Sequence, residues 1–209
     1  MGKCGCEKKH KCHGCVAKCA KCHDKTYEYS ECKCNIENAL IIPFARHSWY
    51  TTLSINTFLL NAQNASAMIA SLAETADSIS AVVQKYTTIC IYKRMQTALT
   101  NHINLAAVAL GLLKQQSPKL PAAIDALYEQ TSELARVFSD LNPCVLTYKM
   151  MKKMWMHHVD YIVEIATLVS QKKYTEANVA NDGYTDEMIE MALMTADGLA
   201  QGYCCEGHC

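Results

Sequence analysis

The chain has 209 residues, half of them hydrophobic and 19% charged, with 20 basic and 20 acidic side chains. That is enough for one sizeable hydrophobic core plus an appendage. A formal net charge of zero excludes a global field that would draw the chain onto nucleic acid or an anionic membrane. Glycine and proline are scarce, at 8 and 4, which excludes long collagen-like or linker stretches. No apolar run is long enough to span a bilayer, and no secretory signal precedes the first cysteines. The expected location is therefore intracellular, in the cytoplasm of a host cell or in a virion.

The chain opens on a cysteine-rich arm, residues 1–38. Eight of the 13 cysteines lie between Cys4 and Cys34, as Cys4-x-Cys6, Cys12-x-x-Cys15, Cys19-x-x-Cys22 and Cys32-x-Cys34. His10, His13 and His23 are interleaved with them. Zinc takes four thiolate or imidazole ligands at tetrahedral corners, and a two-residue gap lets one tight turn aim two thiolates at one ion. Eight thiolates suffice for about two closed zinc sites. The arm has too few apolar residues to fold by burial, so metal would supply its folding energy. Eight lysines up to Lys33 face four acids, Glu7, Asp24, Glu28 and Glu31. This excess neutralises anionic Zn(Cys)4 centres; nucleic-acid binding through the basic arm is the alternative. The fragment Lys18-Cys19-Ala20-Lys21-Cys22-His23, with Cys32-Lys33-Cys34, resembles metallothionein, which implies a zinc or copper(I) thiolate cluster. An iron–sulfur cluster also needs four cysteines, but the spacing fits no ferredoxin pattern. Disulfides would replace metal in an oxidising setting. The tail at 204–209, with Cys204, Cys205, His208 and Cys209, is ligand-rich too, able to complete a site with the arm or to form disulfides. Cys90 and Cys144 read as small buried hydrophobes.

From residue 39 to 203 the pattern is helical. Expected helices cover 43–62, opened by Pro43, then 65–86, 89–115, 121–140, 145–172 and 175–201, with Gly183 a weak point in the last. Short loops make neighbours antiparallel, so the body is an all-α bundle of about six helices in three hairpins, near 43–86, 89–140 and 145–202. A gapless internal repeat, held at one constant offset, aligns His47 with His102, Ile69 with Ile124, Leu72 with Leu127 and Glu74 with Glu129. His158 follows His102 at an interval one residue longer.

Each of these three histidines heads an apolar stripe at helical spacing. Two readings follow. Each is a core histidine bonded to a carbonyl or acid on the facing helix, or the three share a metal or ligand site with Glu74, Glu129 or Asp197. The Glu-x-x-His signature of di-iron bundles is absent, as are metalloprotease, phosphate-loop and nucleophile-elbow motifs. His157, Asp160 and Glu164 read as a solvated face, and Met188, Met191 and Met194 as core.

The body resembles a group of helical proteins from bacilli and giant DNA viruses over about residues 40–202. The resemblance rests on His47-Ser48-Trp49-Tyr50-Thr51, Asn101-His102, Leu141-Asn142-Pro143, Trp155 with His158, and the run from Met191 to Gly198 followed by Gly202. It implies a helical-hairpin body to which the arm has been added, and an abundant virion protein of Marseillevirus type. No activity comes with it. The leading expectation is a non-enzymatic zinc-binding structural or interaction protein, with a protein partner or a second copy. The alternatives are metallothionein-like storage or delivery of metal, and a metal-dependent enzyme using the bundle histidines.

Overall fold

A computed structural model of the protein describes the backbone of residues 26–205 and the side chains of residues 31–202. Six α-helices follow one another: α1 Thr26–Leu59, α2 Ala65–Gln84, α3 Ile89–Lys114, α4 Leu120–Ser139, α5 Tyr148–Ser170 and α6 Tyr174–Cys205. No strand occurs among the described residues, as the all-helical expectation requires. No helix among them is long and apolar enough to cross a membrane.

Five helices lie close to where periodicity and punctuation put them. Thr88 and Thr147 cap α3 and α5, each hydroxyl accepting from the backbone N–H three residues on. The exception is α1, which begins well before Pro43 and runs straight through it. Proline removes one helical hydrogen bond, but a stripe of Ile36, Leu40 and Phe44, each at most 1% exposed, holds the helix against the core on both sides. Gly183 is likewise no weak point. Helix α6 continues through it, and its missing side chain makes room for the Tyr161 ring.

Each odd-numbered helix joins the next through the same turn. Asn61, Gln116 and Lys172 adopt the left-handed conformation at φ of 58°, 51° and 62°. After each, the next backbone N–H reaches five residues back: Ala62 to Thr57, Ser117 to Leu112, and Lys173 to Leu168. This is the Schellman closure of a helix C-terminus. The three turns recur at the same two intervals as the three histidines. Every even helix packs between two odd ones, and α1, α3 and α5 meet inside. Whatever α1, α3 and α5 carry at equivalent heights is therefore brought together at the centre.

The α5–α6 end is closed by a glycine contact. The Asn142 amide donates to the Gly198 carbonyl at 3.0 Å, and a Cβ on Gly198 would lie 2.5 Å and 2.7 Å from Cδ1 and Cγ of the fully buried Leu146. At Gly183 the obstruction is the hydroxyl end of Tyr161 at 2.7 Å, on a side chain with room to swing outward. Gly198→Ala should therefore destabilise by about 1–3 kcal/mol, as overpacking does, and Gly183→Ala by clearly less. Urea midpoints of the two variants check the order; a reversed order would contradict this packing.

Candidate functional site: a buried histidine cluster

His47 on α1, His102 on α3 and His158 on α5 are 3%, 1% and 0% exposed. Their rings meet in the interior. The centroids of His47 and His158 are 5.9 Å apart, and those of His102 and His158 are 5.3 Å apart. His158 lies between the other two. Trp155, one turn before His158, stands edge-on to both His102 and His158 at 5.7 and 5.1 Å. The Tyr184 ring of α6 lies 5.1 Å from His158, and its hydroxyl is 3.3 Å from that of Thr51.

The hydrogen bonds are uneven. His47 Nδ1 is 2.8 Å from Thr75 Oγ1, and the Thr75 hydroxyl gives its one proton to the Leu72 carbonyl at 2.5 Å. Thr75 therefore accepts from His47, Nδ1 carries the ring proton, and Nε2 of the neutral ring keeps its lone pair. Both ring nitrogens of His158 and Trp155 Nε1 are buried with no hydrogen-bond partner in the protein. The ring nitrogens of His102 and Gln130 Oε1 make no bond of normal geometry either, although the two side chains are close enough for Gln130 to favour the protonated His102 ring. The expectation that each histidine bonds a carbonyl or acid on its facing helix is thus not met: His47 bonds a hydroxyl instead, and His102 and His158 make no such bond of normal geometry. The proposed acidic partners are elsewhere. Glu74 and Glu129 are exposed, because each lies one residue off the inward face of its helix. Asp197 pairs with Lys33 at 2.9 Å. The inward positions belong to the residues after those glutamates, Thr75 and Gln130, which are separated by the same interval as His47 and His102. The Gln130 amide donates to the Ala98 carbonyl at 2.8 Å.

Burial decides the charge. It pushes His47 down to about 3, with the neighbouring His102 adding to the effect. It pushes His102 down to about 4, opposed by the Gln130 side chain. His158 is held well below its ordinary value, first by burial and then by His102, His47 and His157. All three rings are neutral at physiological pH, the state in which imidazole ligates metals. Among the described residues, no group of three or more His, Cys, Asp or Glu side chains could hold a metal ion.

One helical turn beyond the histidines, toward the C-terminal ends of α1, α3 and α5, lies a mainly apolar cavity of about 80 Å3. Thr51, Ser54, Ile103 and Ile162 stand at its near end. Ser54 Oγ, on a residue only 3% exposed, has no partner.

The face read as solvated is exposed at all three positions, His157, Asp160 and Glu164. At its edge His157 Nδ1 lies 2.9 Å from Oε1 of the buried Glu187. Burial raises the Glu187 carboxyl to about 7, against the pull of His157. Asp160 accepts from the Tyr128 hydroxyl at 2.5 Å. Met188 and Met191 are core, as expected, and Met194 is half-buried against it.

Of the expected thiolate ligands, Cys32 and Cys34 have described side chains. Both are free thiols on α1. Residues two apart on a helix face away from each other. Cys32 is half-buried against the core, whereas Cys34 is exposed and accepts from the Asn38 amide, so the two do not converge on one ion. Burial also raises the Cys32 thiol. Cys4, Cys6, Cys12, Cys15, Cys19, Cys22, His10, His13, His23, His208 and Cys209 lie outside the described residues, as do the side chains of Cys204 and Cys205. The reading of Cys90 and Cys144 as buried hydrophobes does not hold. Cys144 is exposed, and Cys90 is half-buried and disulfide-bonded.

Compared with known protein families, with curated proteins and with solved structures, the chain matches none.

Proposed function

We propose that this chain is a non-enzymatic, zinc-binding structural or interaction protein, a rigid helical body of three related hairpins that presents a thiolate metal unit at one end. What supports the reading is the register of α1 against α6. Lys33 pairs with Asp197, Ser48 bonds Thr185, and the Thr52 hydroxyl bonds the Asn181 amide oxygen. These pairs run antiparallel, so the helix end at Cys204 and Cys205 stands beside the first turn of α1. The cysteine-rich segment before Thr26 and the cysteine tail thus leave the bundle side by side. The six cysteines before Thr26 fall two short of two closed four-thiolate sites, and the cysteines at 204 and 205, at a helix end that stands beside the first turn of α1, would complete them. An interaction role agrees with Ile42 and Trp49, 57% and 62% exposed and seven residues apart on one face of α1. A role in a virion follows from the resemblance to giant-virus proteins.

Replacing Cys204 and Cys205 together with Ser should lower zinc content by about one ion per chain, since half the ligands of one site disappear. Elemental analysis of protein purified without added metal provides the measurement. Unchanged zinc would confine the ligands to the N-terminal segment, and a larger, readily exchanged copper complement would favour metal storage over structure.

A further inference from the structure

We infer that the cavity one turn beyond the histidines is a binding site for a small neutral aliphatic molecule with one polar end, an alcohol or a ketone, and that the Ser54 hydroxyl meets that end. Two independent observations carry it. The first is the space itself, about 80 Å3 between α1, α3 and α5. Ala106 and Ala109 on α3 and Ala166 on α5 stand in its wall, where larger side chains would close the gap. Voids larger than a water are few in native interiors and cost stability when empty. The second is Ser54, which lines the cavity, is 3% exposed and has no partner for Oγ. Thr51 and Thr57 on the same helix donate to the carbonyls four residues back, and Ser80 and Thr195 do so elsewhere, at 2.7 Å in each case. Ser54 makes no such bond, so its donor and its lone pairs are left to whatever fills the cavity.

The lining selects the ligand. Thr51, Ser54 and Thr167 are its polar side chains, and the rest are aliphatic. With no charged group in the wall, an ionised end brought to Ser54 would be buried without a counter-charge. An ordered water wants two to four polar partners, and the Thr51 hydroxyl beside Ser54 already donates to the His47 carbonyl. A hydroxyl or carbonyl on an apolar body satisfies Ser54 and sets carbon against carbon elsewhere. A water takes about 30 Å3 of liquid, so the space admits the polar end and roughly the first carbons of a chain. The wall passes from buried at Ile103 and Ile162 to half-buried at Ile69, Leu113, Leu120 and Ile124. The cavity therefore opens at that end of the bundle, and a longer chain runs out along these side chains.

The test is calorimetric titration of the full-length protein with 1-hexanol at pH 7. One saturable site per chain is expected. Hexanoate, of the same length but with a charged end, should bind at least about tenfold more weakly. Ala109→Leu and Ala166→Leu, each adding a larger side chain to the cavity wall, should each weaken 1-hexanol binding by about tenfold or more. Ser54→Ala should weaken it by about fivefold, the loss of one neutral hydrogen bond. The arm cysteines take no part in these measurements, so the metal reading stands or falls separately. Absence of saturable 1-hexanol binding to the unaltered protein would overturn the inference, even if a leucine variant did not fold. Unchanged affinity in folded Ala109→Leu and Ala166→Leu variants would overturn it by placing the alcohol elsewhere. Unchanged affinity in Ser54→Ala would overturn the assignment of Ser54 to the polar end.

Discussion

Lowering the pH of the metal-free protein from 7 to 5 should remove folding stability, about 4 kcal/mol of it through His47 and His102. The cause is three histidines that the fold keeps neutral. In the unfolded chain each takes up a proton near 6.5. In the folded protein His47 and His102 resist protonation down to about 3 and 4, and His158 is held well below its ordinary value too. Above 6.5 both states are neutral and the histidines contribute no pH dependence. As the pH falls below 6.5 the unfolded state binds protons that the folded state refuses, so stability is lost until the folded values are reached. pH 5 lies about 1.5 units below the unfolded value, which is roughly 2 kcal/mol for each of His47 and His102, and His158 acts in the same direction.

Glu187 acts with the opposite sign. Its carboxyl is raised to about 7, so the folded state takes up that proton first and gains as the pH falls. It is one partly screened group against three enclosed ones, and it trims the loss without cancelling it. Since domains of this size are stable by about 5–15 kcal/mol, much of the molecule's margin should vanish. Urea unfolding in the presence of chelator at pH 7 and pH 5 measures it, and His102→Leu should shrink the pH effect by about 2 kcal/mol. A loss below about 2 kcal/mol would mean that the three rings are hydrated or charged in the folded protein.

Much of the body was legible because amphipathic stripes and turn residues speak for themselves. Asn142-Pro143 and Ser117-Pro118 mark breaks, and five helices begin within a few residues of where the pattern starts. The start of α1 was missed for a physical reason. Ile36 and Leu40 continue the stripe of Phe44, but they follow a lysine- and cysteine-rich stretch, and Pro43 is a better helix opener than helix interior. The histidine spacing pointed correctly to one position on each odd helix. Whether those positions face one another depends on how three hairpins close around α5, and no single-helix periodicity contains that. The partners were misread by one residue. Glutamates stood out as acids, yet Thr75 and Gln130 occupy the inward sites and repeat at the same interval. Glu187 gave no sequence signal, because a carboxylate on a helix is usually exposed.

Trp155→Ala should cost about 3–5 kcal/mol, the range for truncating a buried aromatic ring. Trp155 is 2% exposed. It stands edge-to-face against Phe138 at 5.2 Å, as well as against the two histidines. The void left by its indole would open beside His102 and His158, whose nitrogens already lack partners. Water entering there would hydrate them, so the loss should sit toward the lower end of the range, and the acid sensitivity of the variant should fall with it. Trp155→Phe, which keeps a ring and removes the unpartnered Nε1, should cost much less. Trp49 supplies the control. At 62% exposure its replacement by Ala should change stability by no more than about 0.5 kcal/mol, as surface substitutions do. Urea midpoints of the three variants at pH 7 separate these cases. A Trp155→Ala loss as small as that of Trp49→Ala would mean that the indole does not fill the space between α3, α4 and α5.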